Sequence, residues 1–167
     1  MENKIRWGIL GTGRIARAFA EGLKYTQNAE LIAIASRTLE SAQSFANEWQ
    51  IPHAFGSYEE LAESEILDAV YIATPHTEHV KNAILCMEKR KAVLCEKPLA
   101  VNAAEVGKMI QEAKKQDVLL MEGMWSRFPP LMHEVRRLIK ENEIGEIRTI
   151  HADFGFSPEN KDPNGRL

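Results

Sequence analysis

A glycine-rich turn near the start of the chain has the composition and position of a phosphate-binding loop. Gly11-Thr12-Gly13-Arg14-Ile15-Ala16 matches the pattern G-x-G-x-x-G/A, between an apolar run at 5–10 and a segment with helical periodicity. The first glycine permits a tight turn, the second lets a diphosphate approach the backbone, and the small Ala16 allows close helix–strand packing. The free N–H groups and the positive dipole end of the helix would face the phosphates. The pattern predicts dinucleotide binding at Gly11, Thr12, Gly13, Arg14 and Ile15, with a generic glycine turn or a methyltransferase loop as alternatives.

A basic, hydroxyl-bearing segment follows the second predicted strand. Ser36-Arg37-Thr38 stands about 20 residues after the glycines, where NAD-binding proteins usually carry Asp or Glu for the ribose 2′-hydroxyl. A carboxylate would repel a 2′-phosphate, whereas the Arg37 guanidinium can pair with it and stack on adenine. Ser36 and Thr38 can add hydroxyl donors. The segment therefore predicts NADP rather than NAD, and the alternative is that Arg37 is an ordinary exposed residue at a helix start.

Lys97 follows the apolar run 92–95, at the carboxyl end of a predicted strand. Ligands of open α/β sheets bind beyond such strand ends. Taken alone, a lysine at this position is usually a surface residue whose charged end reaches solvent. Beside a reacting oxygen, its ammonium would stabilise developing alkoxide charge and could take part in proton transfer.

Four motifs occur in order along the chain. The glycine turn is followed by Ala73-Thr74-Pro75-His76, Glu96-Lys97-Pro98-Leu99-Ala100 and Glu122-Gly123-Met124-Trp125-Ser126-Arg127-Phe128. Each motif alone is modest, but the ordered set resembles the glucose–fructose oxidoreductase/inositol dehydrogenase (Gfo/Idh/MocA) family over essentially the whole chain. The resemblance implies reversible hydride transfer between a nicotinamide and the CH–OH carbon of a diol or sugar. A non-catalytic NADP-binding or regulatory protein on the same scaffold is the alternative.

The resemblance also implies roles for individual residues. Lys97 would be the active-site lysine, followed by a cis peptide bond to Pro98. Glu96 would lie beside the nicotinamide ribose, and Thr74, Pro75 and His76 beside the nicotinamide. Four residues would match substrate-pocket positions: His79, Trp125, Arg127 and Phe154. Family members continue for roughly as long again, so we expect this sequence to be the N-terminal half. The catalytic acid/base element would lie beyond Leu167, and the full-length protein would be a homodimer.

The elements that must position these residues alternate between strand and helix through about residue 123. Near-continuous apolar runs such as 31–36 and 68–73 suit strands that are covered on both faces. The alternation predicts an α/β fold, a doubly wound parallel sheet of the Rossmann type. We expect residues 1–123 to form this dinucleotide-binding domain, with its last strand at 118–121. Residues 124–167 would begin a second α/β domain, with a helix at 131–142 and a strand at 147–156.

Composition excludes several other classes of function. The charges sum to −3, so the chain offers no basic field for a nucleic-acid backbone. No apolar run approaches the roughly 20 residues of a membrane span, and the first residues lack a signal-peptide pattern. Cys86 and Cys95 are too few for a disulfide framework, which favours reduced thiols in a cytoplasmic protein. His76 and His79 lack a third metal ligand with fitting spacing, so we expect no metal site.

Overall fold

The structure is a computed structural model that describes residues 4–155. Strands and helices alternate along most of that range. The strands are β1 (Ile5–Leu10), β2 (Ala29–Ala35), β3 (His53–Phe55), β4 (Ala69–Ile72), β5 (Ala92–Glu96) and β6 (Leu120–Gly123). The α-helices are α1 (Arg14–Leu23), α2 (Leu39–Trp49), α3 (Tyr58–Glu63), α4 (His79–Glu88), α5 (Ala103–Gln116) and α6 (Pro130–Lys140). Short 3-10 turns occupy His76–Glu78 and Trp125–Arg127.

All six strands lie in one parallel sheet with the order β3-β2-β1-β4-β5-β6. The order reverses at β1, so the chain winds outward from the centre of the sheet in two directions. Leu10 lies beside both Ala35 and Ile72, and Ile72 lies beside Cys95. The carboxyl ends of β1, β2, β4 and β5 therefore meet at one edge, where such sheets bind their ligands. The predicted doubly wound parallel sheet is confirmed.

Helices cover the sheet on both faces. Successive strand residues point to opposite faces, so Ile9 belongs to one buried cluster and Leu10 to the other. Phe45 of α2 packs in the cluster of Ile9, whereas Met87 of α4 and Met109 of α5 pack in the cluster of Leu10. Each of these five side chains is at most 1% exposed. Burial on both faces explains why the strands are apolar almost throughout.

Three helices that follow strands begin with a side-chain cap. Thr38, Ser57 and Asn102 are the N-cap residues of α2, α3 and α5. Each accepts a hydrogen bond from the backbone N–H three residues further on, at 3.3, 3.2 and 3.0 Å respectively. These caps satisfy N–H groups that have no partner within the helix. The helices therefore start where the sequence places a short polar side chain.

The chain forms two compact units, Met1–Met124 and Trp125–Leu167, and residues in each unit lie mainly near residues of the same unit. The second unit contains α6, and its predicted strand at 147–156 is wrong over 147–155, where no strand pairing occurs. The alternating side chains suit a strand, but a strand also needs a neighbouring backbone to bond its N–H and C=O groups. The described part of this unit supplies no such neighbour. Phe156 and the turn-rich segment 162–167 lie outside the described residues. Across residues 4–155, none of the helices has the length and apolar character to traverse a bilayer.

Candidate functional site

The glycine turn leaves β1 in a conformation that suits glycine alone. Gly11 has a φ of +100°, and a Cβ at this position would lie 2.9 Å from the carbonyl oxygen of Ala73. The Gly11 N–H donates to the carbonyl of Ala35 at 2.9 Å, so the turn is held against the ends of β2 and β4. Gly13 is different, because a Cβ there would meet nothing within 4 Å. The turn is therefore rigid at its first glycine and open at its second.

The N-terminus of α1 has no side-chain cap. Its N-cap residue is Gly13, in contrast to the Thr, Ser and Asn caps of α2, α3 and α5. The first N–H groups of a helix have no acceptor inside the helix, and here no side chain accepts from them. Arg14 and Ile15, the first two residues of α1, are exposed. Uncapped N–H groups at the positive end of a helix dipole bind anions, and this arrangement fits a diphosphate.

Arg17 supports the turn, a role that the sequence pattern does not signal. Its Nη1 donates to the carbonyl of Thr12 at 2.8 Å, and its Nη2 donates to Glu48 at 2.8 Å. The guanidinium carbon lies 5.2 Å from the centre of the Phe45 ring. These contacts tie the turn to α2. A cavity of about 400 Å³ adjoins them, lined by Thr12, Arg17, Glu40, Ser41, Ser44 and Phe45.

The segment after β2 presents a cation and a hydroxyl-rich helix start. Ser36 is 8% exposed and its N–H donates to the carbonyl of Phe55 at 3.3 Å, whereas Arg37 and Thr38 are exposed. The Thr38 hydroxyl caps α2 and also donates to Ser41 Oγ at 2.9 Å. None of residues 36–38 carries a carboxylate. The selection of NADP by this segment stays a prediction.

The end of β5 carries Glu96 and the exposed Lys97. Glu96 Oε1 accepts a hydrogen bond from the Tyr71 hydroxyl at 2.5 Å, and Glu96 Oε2 accepts one from the Lys97 N–H at 3.2 Å. The peptide bond between Lys97 and Pro98 is cis, as predicted. The Leu99 N–H donates to Glu122 Oε1 at 2.8 Å. The Lys97 segment is thus fixed on both sides by carboxylates that accept backbone hydrogen bonds.

His79 is the first residue of α4 and is fully buried. Its Nδ1 lies 2.9 Å from the carbonyl oxygen of Pro98, and its Nε2 lies 3.1 Å from that of Thr74. The imidazole therefore bridges the segments that follow β4 and β5. In this position it exposes no surface for the substrate contact that the resemblance implied.

Thr74, Pro75 and His76 follow β4 at the same edge of the sheet. Thr74 is 7% exposed, and its hydroxyl oxygen accepts a hydrogen bond from Asn82 Nδ2 at 3.0 Å. The ring of His76 lies 5.5 Å from that of His79, and the two rings are nearly perpendicular. Asn82 is a positioning residue that the sequence analysis missed, because an asparagine inside a helix has no pattern that reveals its partner.

Burial sets the charge states beneath this edge. Desolvation, followed by the bonded carboxylate of Glu96, raises the pKa of Tyr71 far above its usual range. The phenol therefore keeps its proton and is the donor to Glu96. Burial also raises the pKa of Cys95 to about 12, so this thiol is neutral. In residues 4–155 no three His, Cys, Asp or Glu side chains are grouped as a metal site would require.

Trp125, Arg127 and Phe154, which the resemblance places in a substrate pocket, all belong to the second unit. The rings of Trp125 and Phe154 lie 6.4 Å apart and are tilted by 50°. The carbonyl of Arg127 accepts a hydrogen bond from Arg136 at 2.6 Å. The structure thus brings the two aromatic residues together, and their contact with a substrate stays a prediction.

The sheet order, the open glycine turn and the residues gathered at the carboxyl edge define a dinucleotide-binding protein of the Rossmann class. Comparison with known families gives the same result. Residues 5–124 match the sequence model of the Gfo/Idh/MocA group, described as an oxidoreductase family with an NAD-binding Rossmann fold. The chain belongs to this oxidoreductase family.

Curated relatives narrow the comparison. The chain is 46% identical over 154 residues to the trans-1,2-dihydrobenzene-1,2-diol dehydrogenase of Mus musculus. The aligned region covers 91% of this chain and 46% of the relative. It is 44% identical over 153 residues to the enzyme of that name from Danio rerio. This aligned region covers 90% of this chain and again 46% of the relative. The chain therefore spans about half the length of these relatives.

Solved structures share the fold. A probable dehydrogenase from Thermotoga maritima superposes with a TM-score of 0.80 at 33% identity, over 84% of this chain and 42% of that one. A 3-ketoreductase from Actinomadura kijaniata, in complex with NADP and TDP-benzene, superposes with a TM-score of 0.80 at 31% identity. That match covers 87% of this chain and 45% of the ketoreductase.

Proposed function

We propose that this chain is the cofactor-binding part of an NADP-dependent oxidoreductase. The enzyme would move a hydride between a nicotinamide and a CH–OH carbon of a diol or sugar. One observation carries the proposal: the open glycine turn and the Glu96-Lys97 segment lie at the same edge of the sheet. A diphosphate at the turn places the remainder of a dinucleotide along that edge. The names of the curated relatives support a dihydrodiol as one substrate class.

The residues at the edge would divide the work of binding. The uncapped N–H groups of α1 would hold the diphosphate, and Arg37 would pair with a 2′-phosphate. The carboxylate of Glu96 would accept hydrogen bonds from ribose hydroxyls. Thr74, Pro75 and His76 would lie along the nicotinamide, whose C4 supplies or takes up the hydride.

Lys97 would serve the reacting oxygen of the substrate. When a CH–OH carbon loses a hydride, its oxygen must also lose a proton, and negative charge develops there. The Lys97 ammonium would stabilise that charge and help to transfer the proton. Trp125, Arg127 and Phe154 would contact the substrate. A homodimer, implied by the family resemblance, and a cytoplasmic location, inferred from Cys86 and Cys95, both stay predictions.

A titration tests the choice of cofactor. We expect the 167-residue chain to bind NADPH more tightly than NADH. Quenching of tryptophan fluorescence measures both affinities. Arg37→Ala should weaken NADPH binding at least about tenfold and leave NADH binding nearly unchanged, because only NADPH carries the 2′-phosphate. Lys115→Ala is the control: its side chain is 67% exposed near the end of α5, and it removes the same charge. Equal affinity of the wild-type chain for both cofactors would refute the NADP assignment.

A second experiment tests the role of Lys97. In a protein that carries this chain together with the part corresponding to the rest of the relatives, Lys97→Met should lower turnover of a dihydrodiol or an aldose far more than it weakens NADP binding. Turnover is followed through NADPH absorbance. Unchanged turnover in Lys97→Met would remove Lys97 from the mechanism and leave cofactor binding as the supported function.

A further inference from the structure

Tyr71 lies in the middle of the sheet, yet its hydroxyl reaches the functional edge. On the strand ladder Tyr71 is the direct partner of Leu94, two residues before Glu96 on β5. Side chains two residues apart on a strand share a face, so Glu96 lies diagonally from Tyr71. A long side chain can span that diagonal. The phenol does so and donates to Glu96 Oε1 at 2.5 Å.

The ring of Tyr71 is fixed by the helix that begins at the glycine turn. Tyr71 is 3% exposed, and its ring stacks on Phe19 of α1 with a centroid distance of 3.9 Å and an interplanar angle of 14°. Phe19 in turn meets Trp7 of β1 edge-on at 5.3 Å. Aromatic packing of this kind leaves a ring little freedom. The direction of the Tyr71 hydroxyl is therefore set by α1.

Glu96 is held by two hydrogen bonds and has free space beside it. Tyr71 donates to Oε1, the Lys97 N–H donates to Oε2, and a Cβ at position 123 would lie 3.3 Å from Oε1, where Gly123 leaves room. An ionised carboxylate has about four acceptor sites, and the chain uses two of them. The other two are left on a half-buried group at the carboxyl edge. A pair of neighbouring hydroxyl groups matches that arrangement.

We propose that Tyr71 is a positioning residue that orients Glu96 toward the two hydroxyls of the nicotinamide ribose. This inference rests on the proposed function. Tyr71 touches neither cofactor nor substrate in this scheme and acts through the carboxylate. It also links the two halves of the site, because the helix that receives the diphosphate holds the ring that aims the carboxylate.

The test compares two ligands that differ by the nicotinamide half. NADPH contains the nicotinamide ribose, whereas 2′,5′-ADP contains only the adenosine half with its 2′-phosphate. In the 167-residue chain, Tyr71→Phe should weaken NADPH binding at least about fivefold and change 2′,5′-ADP binding by less than about twofold, because the lost bond is made to a charged group. Calorimetry measures both affinities.

Tyr25→Phe is the matched control. It also removes a phenol that donates to a glutamate, at 3.3 Å to Glu21, but Tyr25 is 81% exposed and lies outside the site. We expect both ligands to bind this variant as they bind the wild-type chain. In a Glu96→Ala background, Tyr71→Phe should cause no further selective loss, because the group that Tyr71 orients is gone.

The outcomes separate the inference from the proposed function. If Tyr71→Phe weakens both ligands equally, or weakens neither, or causes the same selective loss in the Glu96→Ala background, the positioning role is overturned. If the wild-type chain binds neither ligand, the proposed function itself fails. Should Tyr71→Phe not fold, Phe19→Leu replaces it, since it keeps the phenol but removes the stacked ring that directs it. The same selective loss is then expected, and its absence overturns the inference.

Discussion

The two glycines of the first turn should respond in opposite ways to the same added methyl group. At Gly11 alanine must adopt a φ of +100° and place its Cβ 2.9 Å from a backbone oxygen of Ala73. Strain of this kind costs about 1–3 kcal/mol, and the close contact adds to it, so we expect a loss of about 3 kcal/mol. For a chain of this size that corresponds to a decrease in Tm of roughly 6–12 °C.

At Gly13 the stability should hardly change. Its φ of −74° and ψ of −179° suit alanine, and the added Cβ meets nothing within 4 Å. The lower backbone entropy of the unfolded chain stabilises by about 0.4–1 kcal/mol, and the weakness of alanine as an N-cap offsets a similar amount. Binding should change instead, because the methyl group fills the space through which a diphosphate approaches. We expect NADPH affinity to fall at least about tenfold.

Urea denaturation followed by circular dichroism measures the stabilities, and calorimetry with NADPH measures binding. Gly11→Ala should lose stability, whereas Gly13→Ala should be as stable as the wild-type chain and bind NADPH at least about tenfold more weakly. A Gly13→Ala variant that binds NADPH normally would show that the open face of the turn is not where the diphosphate approaches. A Gly11→Ala variant as stable as the wild-type chain would contradict the backbone geometry.

Three further predictions concern the rest of the fold. The Arg6 guanidinium beside Asp68 holds the pKa of that carboxyl below its usual range. The pair therefore contributes its full stabilisation above about pH 4, where the unfolded carboxyl is ionised, and this contribution is lost as the pH falls further through the lower pKa of the folded state. Urea denaturation between pH 7 and 3 should show a shallower loss of stability in Asp68→Asn. Gly107 lies inside α5 and a Cβ there would meet nothing, so Gly107→Ala should raise the stability by about 0.5–1 kcal/mol in a thermal melt. Burial raises the pKa of Cys86 and Cys95 to about 12, so a thiol reagent such as DTNB should react with neither until the chain unfolds, and rapid reaction of the native protein would contradict their burial.

The order of the elements could be predicted because each has a local signature. Apolar runs flanked by turn residues predict the strands, and helical periodicity predicts the helix after the glycine turn. The last strand was placed two residues too early. The N–H of Val118 closes α5 by donating to the carbonyl of Ala113 at 3.1 Å, with Asp117 in the left-handed region at φ 54°. Although Val118 is apolar like a strand residue, it therefore belongs to the turn that ends α5.

The supporting residues of the site could not be predicted, since their roles depend on register and side-chain direction. Tyr71 reaches Glu96 only because β4 and β5 are paired as they are, and nothing in either segment alone shows that pairing. Glu122 likewise accepts from the Leu99 N–H, 23 residues away, and Arg17 stands just after the glycine motif, whose pattern does not show that it bonds the Thr12 carbonyl. His79 shows the same limit: the resemblance implies a substrate-pocket position for it, and its burial between two carbonyls has no signal in the sequence.

Because α1 lacks a side-chain cap, hydrogen exchange of its first amides can report whether the glycine turn has bound a ligand. The side chains of Thr38, Ser57 and Asn102 each accept a hydrogen bond from one amide in the first turn of α2, α3 and α5, so we expect that amide to be protected from exchange whether or not a ligand is bound. No side chain caps the first amides of α1, so we expect these amides to exchange their protons with water. Binding of an anion would slow the exchange at these few backbone positions. Slower deuterium uptake there would therefore identify the ligand-bound chain without a fluorescent label or an activity assay.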